Sequence, residues 1–203
     1  MAGSEIICSR ELGARHEREI VLGKDGEILR QLFIFVDVVP AEMRYTIRLK
    51  GRASRAEIGI AYVGRQQDVT EMDVKILHEA PDTYARVTAK AALFDDARLV
   101  FRGMLDIAPS AKGADSYLLA KGLMVSPRAR AEIYPYLEIR TDEVKASHGS
   151  SVGRLDERQL FYLQSRGIAK AEAEKIILSS YFRDVARDMP SEYRKKFFQG
   201  GSA

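Results

Sequence analysis

Apolar and polar residues alternate in short runs through the first two-thirds of the chain, and the runs recur about every ten residues. Alternation with a period of two predicts β-strands, which are separated here by glycine, aspartate and proline. No 3.6-residue period is sustained in this region. The predicted strands cover residues 18–22, 32–39, 45–49, 57–63, 69–77, 84–89, 98–101, 104–107, 117–125 and 131–139.

This spacing of strands is typical of a sandwich, a barrel or a β-solenoid. Small residues mixed with apolar ones, as in Ala89–Leu93 and Ala129–Ile133, favour stacked coils. In a solenoid each coil packs on its neighbours, so inward positions are apolar and turn-forming residues occupy the corners. The periodicity alone leaves solenoid and sandwich open.

The pattern changes to helical spacing after Gly153. Leu155, Leu160 and Leu163 predict a first helix, and the glycine of Ser165–Gly167 is typical of its C-terminus. A second helix is predicted over residues 169–188, and a short last one over residues 191–198. The apolar stripe of the second helix consists of Ala173, Ile176, Ile177, Tyr181, Val185 and Met189. We therefore expect a β body over residues 1–153 and an α-helical segment over residues 154–203.

The composition indicates a globular protein, with 46% hydrophobic and 30% charged residues among 203. The lone Cys8 excludes a disulfide within the chain and fits a reducing compartment. No run approaches the ~20 apolar residues that a membrane span needs. We therefore expect a soluble cytoplasmic protein without a membrane partner.

Charge and motifs argue against nucleic-acid binding and against ATP chemistry in this chain. The net charge is only +3, and the basic residues of Arg44–Arg55 alternate with apolar ones, as on the wet face of a strand. The Gly23–Gly26 turn lacks the phosphate-loop pattern, and no nucleophile–base pair is evident. We expect no nucleic-acid partner and no enzymatic activity.

One long motif spans the end of the β body and the first helix. Val144–Asp156 contains the run Ser147-His148-Gly149, and Leu160–Ile168 reads Leu-Phe-Tyr-Leu-Gln-Ser-Arg-Gly-Ile. These two segments resemble the hallmark of the SufB/SufD family of iron–sulfur cluster assembly proteins. Segments of the same family precede them in the expected order, namely Phe101–Gly103, Pro135–Ile139 and His78–Thr83. The resemblance covers residues 68–198 firmly and residues 12–65 loosely.

The resemblance implies a right-handed parallel β-helix followed by a C-terminal helical segment. Members of the family pair through the C-terminal part of the β-helix, so the expected dimer partner is a SufB-like chain or a second copy. The helical segment is expected to dock on a SufC-type ABC ATPase. Together these features predict a SufD-like subunit of a scaffold for nascent iron–sulfur clusters, with iron or a cluster held only transiently and not tightly by this chain alone.

His148 is the best candidate for a metal ligand, because neutral imidazole suits iron. We expect it to complete a site with groups from a partner chain, supported by Ser147, Gly149 and Glu138. SufB-like members flank this histidine with glutamates, whereas Ser147 and Gly149 flank it here, as in SufD. The alternative is a histidine that only hydrogen-bonds its turn.

Two alanines favour an alternative function. Ala120 lies near the position of the SufB cluster cysteine, and Ala146 replaces a cysteine of many SufD-like members. In this alternative, the chain is a cluster-free structural adaptor that binds the ATPase. Cys8 is expected in an N-terminal tail, and His78 in a structural corner. A carbohydrate-acting β-helix enzyme is a weaker alternative, because the chain has no tryptophan and no signal peptide is evident.

The helical segment supplies the candidate docking residues. The first helix carries apolar and aromatic side chains that partly cap the open end of the solenoid, and the second is expected to present side chains to a partner. The partner-binding candidates are Phe161, Tyr162, Arg166, Tyr181, Phe182 and Arg183.

Overall fold

The computed structural model describes residues 5–8, 13–36, 38–191, 193–194 and 197. Within them the chain forms a β-solenoid of about five coils, because successive strands join two parallel sheets in alternation. The six-stranded sheet has the order β1-β3-β5-β7-β9-β11, and the five-stranded sheet has the order β2-β4-β6-β8-β10. The strands are β1 (Glu5–Cys8), β2 (Arg15–Leu22), β3 (Ile28–Phe35), β4 (Glu42–Leu49), β5 (Arg55–Gly64), β6 (Val69–His78), β7 (Tyr84–Leu93), β8 (Arg98–Ile107), β9 (Ala114–Met124), β10 (Arg130–Ile139) and β11 (Val144–Arg154).

The alternation in the sequence produces the core of the solenoid. Ile58 of β5 pairs with Val87 of β7, and Val87 pairs with Leu118 of β9, so the three stack in one inward column. All three are buried. Because successive side chains of a strand point to opposite faces, each inward apolar residue is followed by an outward one. The β-solenoid that the family resemblance implies is therefore confirmed.

One corner of the solenoid repeats the same backbone conformation in four successive coils. Gly26, Ala53, Asp82 and Gly113 all have positive φ, between 56° and 73°. The amide of Gly26 donates to the Arg52 carbonyl at 2.8 Å, and the amide of Asp82 donates to that of Lys112 at 2.9 Å. These bonds join neighbouring coils, so the corner stacks as regularly as the strands do. A residue with a Cβ is strained in this conformation, and the repeated bonding compensates for it at Ala53 and Asp82.

The helical segment packs on the outer face of the six-stranded sheet. It consists of α1 (Glu157–Ser165), α2 (Lys170–Tyr181) and a 3₁₀ turn, Ala186–Asp188. The Asp156 carboxylate caps α1 by accepting the Arg158 amide at 2.9 Å. From Leu178 onward, residues of the helical segment form a second core with the sheet. Its buried members from the helical segment are Leu178, Phe182, Val185, Ala186, Met189 and Phe197.

The second helix is shorter than predicted. The prediction of one helix over residues 169–188 is wrong, because α2 ends at Tyr181 and the chain changes direction at Phe182. That change lets Phe182, Val185 and Met189 all reach the sheet. Of the predicted last helix, Ser191, Tyr193, Arg194 and Phe197 are helical, and the rest of residues 191–198 lies outside the described residues.

Three strands also differ from the prediction. The two short strands predicted over residues 98–107 form one continuous strand, β8, which passes through Gly103. Strand β11 occupies the segment predicted as a turn around His148. Cys8 belongs to β1 and is buried, rather than lying in a tail. In the part of the chain that the structure describes, no helix has the length and apolar character needed to cross a membrane.

Candidate functional site

The two last strands leave one end of the solenoid open. Strands β10 and β11 are the last members of their sheets, and no further strand pairs with them among the described residues. None of their residues is buried, whereas the inward rows of the preceding β8 and β9 are buried up to Met124. Ile139 and Val152 are 42% and 43% exposed there. The end therefore combines unpaired strand edges with apolar side chains.

His148 lies in the middle of β11, at this open end. It pairs with Leu118 and so extends the inward column of Ile58, Val87 and Leu118 by one coil. The next coil is absent from the described residues, and His148 is exposed although its column is buried elsewhere. No described residue forms a hydrogen bond or an ion pair with its ring. The alternative of a histidine bonded within a turn is therefore not supported.

The neighbours of His148 in sequence point to the other face of the sheet. Ser147 pairs with Tyr117, and Gly149 pairs with Leu119, both in the outward row. A Cβ atom on Gly149 would come within 2.9 Å of the Tyr117 hydroxyl, so the Tyr117 side chain lies across this glycine. Ser147 and Gly149 are therefore small residues on either side of His148, and they point to the opposite face of the sheet.

Glu138 does not join His148. It pairs with Asp106 in the outward row of the five-stranded sheet, whereas its neighbour Leu137 pairs with the buried Leu105. The Glu138 carboxylate forms an ion pair with Arg140, which also contacts Asp106. Because successive side chains alternate between faces, Glu138 cannot face the inward row that carries His148. The expectation that it supports His148 directly is corrected by the structure.

Cys8 is distant from His148 along the solenoid, and the two alanines near His148 offer no ligand atom. Cys8 belongs to β1, the first strand of the six-stranded sheet, and His148 belongs to β11, the last. Ala120 and Ala146 lie in inward rows of β9 and β11, pairing with Ser150 and Ser116. Among the described residues, no group of three His, Cys, Asp or Glu side chains is arranged to hold a metal ion.

His78 lies within the core and has both ring nitrogens bonded. Its Nδ1 is 2.8 Å from the Thr83 hydroxyl oxygen, and its Nε2 is 3.0 Å from the Ser116 hydroxyl oxygen. The Thr83 hydroxyl donates to the Ala80 carbonyl, so it accepts a bond from Nδ1–H. Nε2 then accepts from Ser116, which fixes one tautomer of the neutral ring. Burial lowers the pKa of His78 to about 4.

The docking candidates divide into an exposed group and a packed group. Helix α1 buries none of its residues, and Phe161 and Tyr162 are 73% and 58% exposed. The guanidinium of Arg166 lies 5.3 Å from the centre of the Tyr162 ring. Phe182, in contrast, is fully buried against the sheet. The structure therefore leaves Phe161, Tyr162 and Arg166 accessible and corrects the expectation for Phe182.

A buried lysine, which the sequence prediction missed, holds the end of α2. The Lys90 ammonium donates to the Tyr181 carbonyl at 2.6 Å and lies 2.6 Å from the Asp184 carboxylate. The Tyr181 hydroxyl donates to the Ala91 carbonyl at 3.3 Å, so this candidate docking residue is engaged with β7. Arg183 is exposed beside them. The sequence signal for this contact is a charged residue inside the run Ala89–Leu93.

Comparison with known proteins finds matches over most of the chain. A family model described as the SUF system FeS cluster assembly SufBD core domain matches residues 36–181. An iron–sulfur cluster assembly SufBD family protein of Mycobacterium tuberculosis strain H37Rv is 31% identical over 153 residues, which are 74% of this chain and 18% of that protein. One from Staphylococcus saprophyticus is 31% identical over 141 residues, 70% of this chain and 30% of that protein. The chain thus spans less than a third of the length of these relatives.

Proposed function

The chain belongs to the SufBD family of iron–sulfur cluster assembly proteins, and from that premise we propose that it is a SufD-like scaffold subunit and not an enzyme. The observation that carries the proposal is the position of His148. Its imidazole lies in an inward column at the open end of the solenoid, exposed and without a described partner. Such a position lets a second chain complete a site around it.

A second solenoid end would cover the edges of β10 and β11. Unpaired strand edges with apolar side chains favour pairing with another chain, here a SufB-like subunit or a second copy. The His148 imidazole would then be one ligand for iron or a nascent cluster, which is the cargo of the assembly. Because Cys8 is the one cysteine of the sequence and lies in the first strand, thiolate ligands would come from a SufB-like partner and not from a second copy.

The exposed side of α1 is the proposed docking surface for a SufC-type ABC ATPase. Phe161 and Tyr162 are large aromatic side chains in solvent, the kind of residue that anchors protein interfaces. ATP binding and hydrolysis would take place in the partner, and its closure would move the helical segment relative to the solenoid. We place this complex in the cytoplasm, where a lone thiol such as Cys8 stays reduced.

The docking proposal is tested by co-expression with a SufC-type ATPase, followed by light scattering on a sizing column. We expect a complex with two chains of each protein, and Phe161→Glu should weaken the association at least tenfold. Val69→Glu is the matched control, because Val69 is 60% exposed on the far sheet. Equal association of both variants would remove α1 from the interface.

The cargo proposal is tested by anaerobic reconstitution of the complex with iron and sulfide. His148→Ala should reduce bound iron by at least half while leaving ATPase association unchanged, because it removes a ligand and no packing contact. The alternative function is a cluster-free structural adaptor, favoured by Ala120 and Ala146 in the inward rows. An adaptor would bind no iron in either form, and iron binding that is equal in both forms would exclude His148 as a ligand.

A further inference from the structure

A groove separates the helical hairpin from the sheet that it covers. It has a volume of about 800 Å³ and lies between the outward residues of β9, the end of β11 and the facing sides of α1 and α2. It shares Tyr162 with the proposed docking surface, but Phe161 does not line it. Helix α1 buries no residue and α2 buries only Ala173 and Leu178, so the two helices leave the groove open beside the sheet.

The walls of the groove are apolar. Leu123 lies on the sheet side, and Leu163, Ile177 and Tyr162 lie on the helix side. These side chains are exposed or half-buried. An apolar body between them would remove this surface from water, which stabilises a complex by about 25 cal/mol per Å² of area buried.

Three cations line the same groove against a single carboxylate. Lys121 and Arg158 form no ion pair with any described residue, and Arg154 contacts only the Pro127 carbonyl, at 3.4 Å. The one acidic residue of the lining, Asp156, already caps α1. Lys90, at the base of the groove, is neutralised by Asp184. The lining therefore carries a net positive charge beside apolar surface.

We infer that this groove binds a small amphipathic anion, a molecule with an apolar ring or chain and an acidic group. Its acidic group pairs with Lys121, Arg154 and Arg158, and its apolar part lies between Leu123 and Ile177. The volume of about 800 Å³ lies within the range of about 300–1,000 Å³ that is typical of small-molecule pockets.

The test uses two probes that differ only in charge. 8-Anilinonaphthalene-1-sulfonate carries a sulfonate, and N-phenyl-1-naphthylamine is the same ring system without it. On the full chain, we expect the double variant Lys121→Glu/Arg158→Glu to lower the affinity for the sulfonate probe at least tenfold. The affinity for the neutral probe should change less than twofold. The control is Lys75→Glu/Arg98→Glu, which makes the same change in net charge on the outer face of the other sheet.

The location of the probe is tested separately, because such dyes bind apolar surface in general. The chain contains no tryptophan, so Ile176→Trp places a single reporter at the groove. Val69→Trp places one on the opposite sheet. Energy transfer to the sulfonate probe should be stronger from the groove reporter. The inference is wrong if both reporters transfer energy equally, or if the two charge variants lose equal affinity for the sulfonate probe. Either result is independent of the scaffold proposal.

Discussion

At the scale of single residues, His78 shows how a polar side chain can belong to the core of a solenoid. It is fully buried, yet both ring nitrogens are bonded to hydroxyl groups of the next corner and the next coil. A buried polar group is tolerated when its hydrogen bonds are made, and is costly otherwise. The sequence prediction of a structural corner histidine agrees with this arrangement, but its partners could not be predicted because Ser116 is distant in sequence.

The neutral state of His78 predicts a loss of stability in mild acid. Burial lowers its pKa from 6.5 to about 4, so between these values the unfolded chain takes up a proton that the folded chain does not. The free energy of unfolding should therefore fall as the pH decreases from 6.5 to 4, by up to about 1.4 kcal/mol per pH unit from this group. Urea denaturation at pH 7, 6 and 5 measures the slope.

His78→Gln should lower stability at pH 7 and flatten this slope, because it removes the titrating group. Ile76→Val is the control, since Ile76 is buried on the same strand and does not titrate. It should lower stability by about 1 kcal/mol and keep the slope. A wild-type slope that persists in His78→Gln would show that other groups dominate the acid sensitivity.

At the scale of elements, the sequence predicts strands well where side chains alternate and poorly where they do not. Strand β6 alternates throughout, β5 and β7 alternate over their first six residues, and the predicted runs fall within these three strands. The segment Val144–Arg154 is rich in glycine and serine, so it has the composition of a turn. It is a strand because β9 offers a complete backbone edge, which is a tertiary effect that local composition does not encode.

Gly103 illustrates the same limit and gives a testable consequence. Glycine inside a strand suggests a break, but β8 continues through it because the Leu118 side chain fills the space of the missing Cβ. Gly103→Ala would bring a Cβ within 2.4 Å of Leu118 Cδ1. We expect a loss of about 1–3 kcal/mol in the free energy of unfolding from overpacking.

The matched control for this substitution is Gly153→Ala, in β11. No heavy atom lies within 4 Å of a Cβ built there, and the residue is exposed at the open end. Its free energy of unfolding should therefore remain within about 0.5 kcal/mol of the wild type. Denaturant titration of the three proteins is sufficient, and equal stability of both variants would show that Leu118 can move away at little cost.

At the scale of the whole molecule, periodicity left solenoid and sandwich open, and the motif around His148 decided between them. Both folds have short strands with inward apolar residues, so local pattern does not distinguish them. What distinguishes them is which strands pair, and pairs such as Val87 with Leu118 join residues in different coils. For the same reason, the sequence placed Glu138 beside His148, whereas the register places them on different faces.

The two ends of the solenoid differ in how much charge their inward rows carry. At the first coil, His16 and Arg18 of β2 pair with the buried Met43 and Tyr45, so polar side chains share the inward row with Ile20 and Leu22. At the last coil, the inward row contains Ile133, Leu137 and Val152. Inward-pointing charges discourage strand edges from pairing with another chain. We therefore expect pairing at the end that contains His148 and not at the other.

A charge placed at each end in turn tests this asymmetry. Val152 and Val21 are exposed valines of the last and the second strand, 43% and 47% exposed. Val152→Asp should weaken pairing with a second copy or a SufB-like chain at least tenfold, because it buries a carboxylate in an apolar interface. Val21→Asp should leave pairing unchanged. Light scattering across a concentration series measures both, and a loss of pairing in Val21→Asp alone would move the interface to the first coil, leaving His148 outside it.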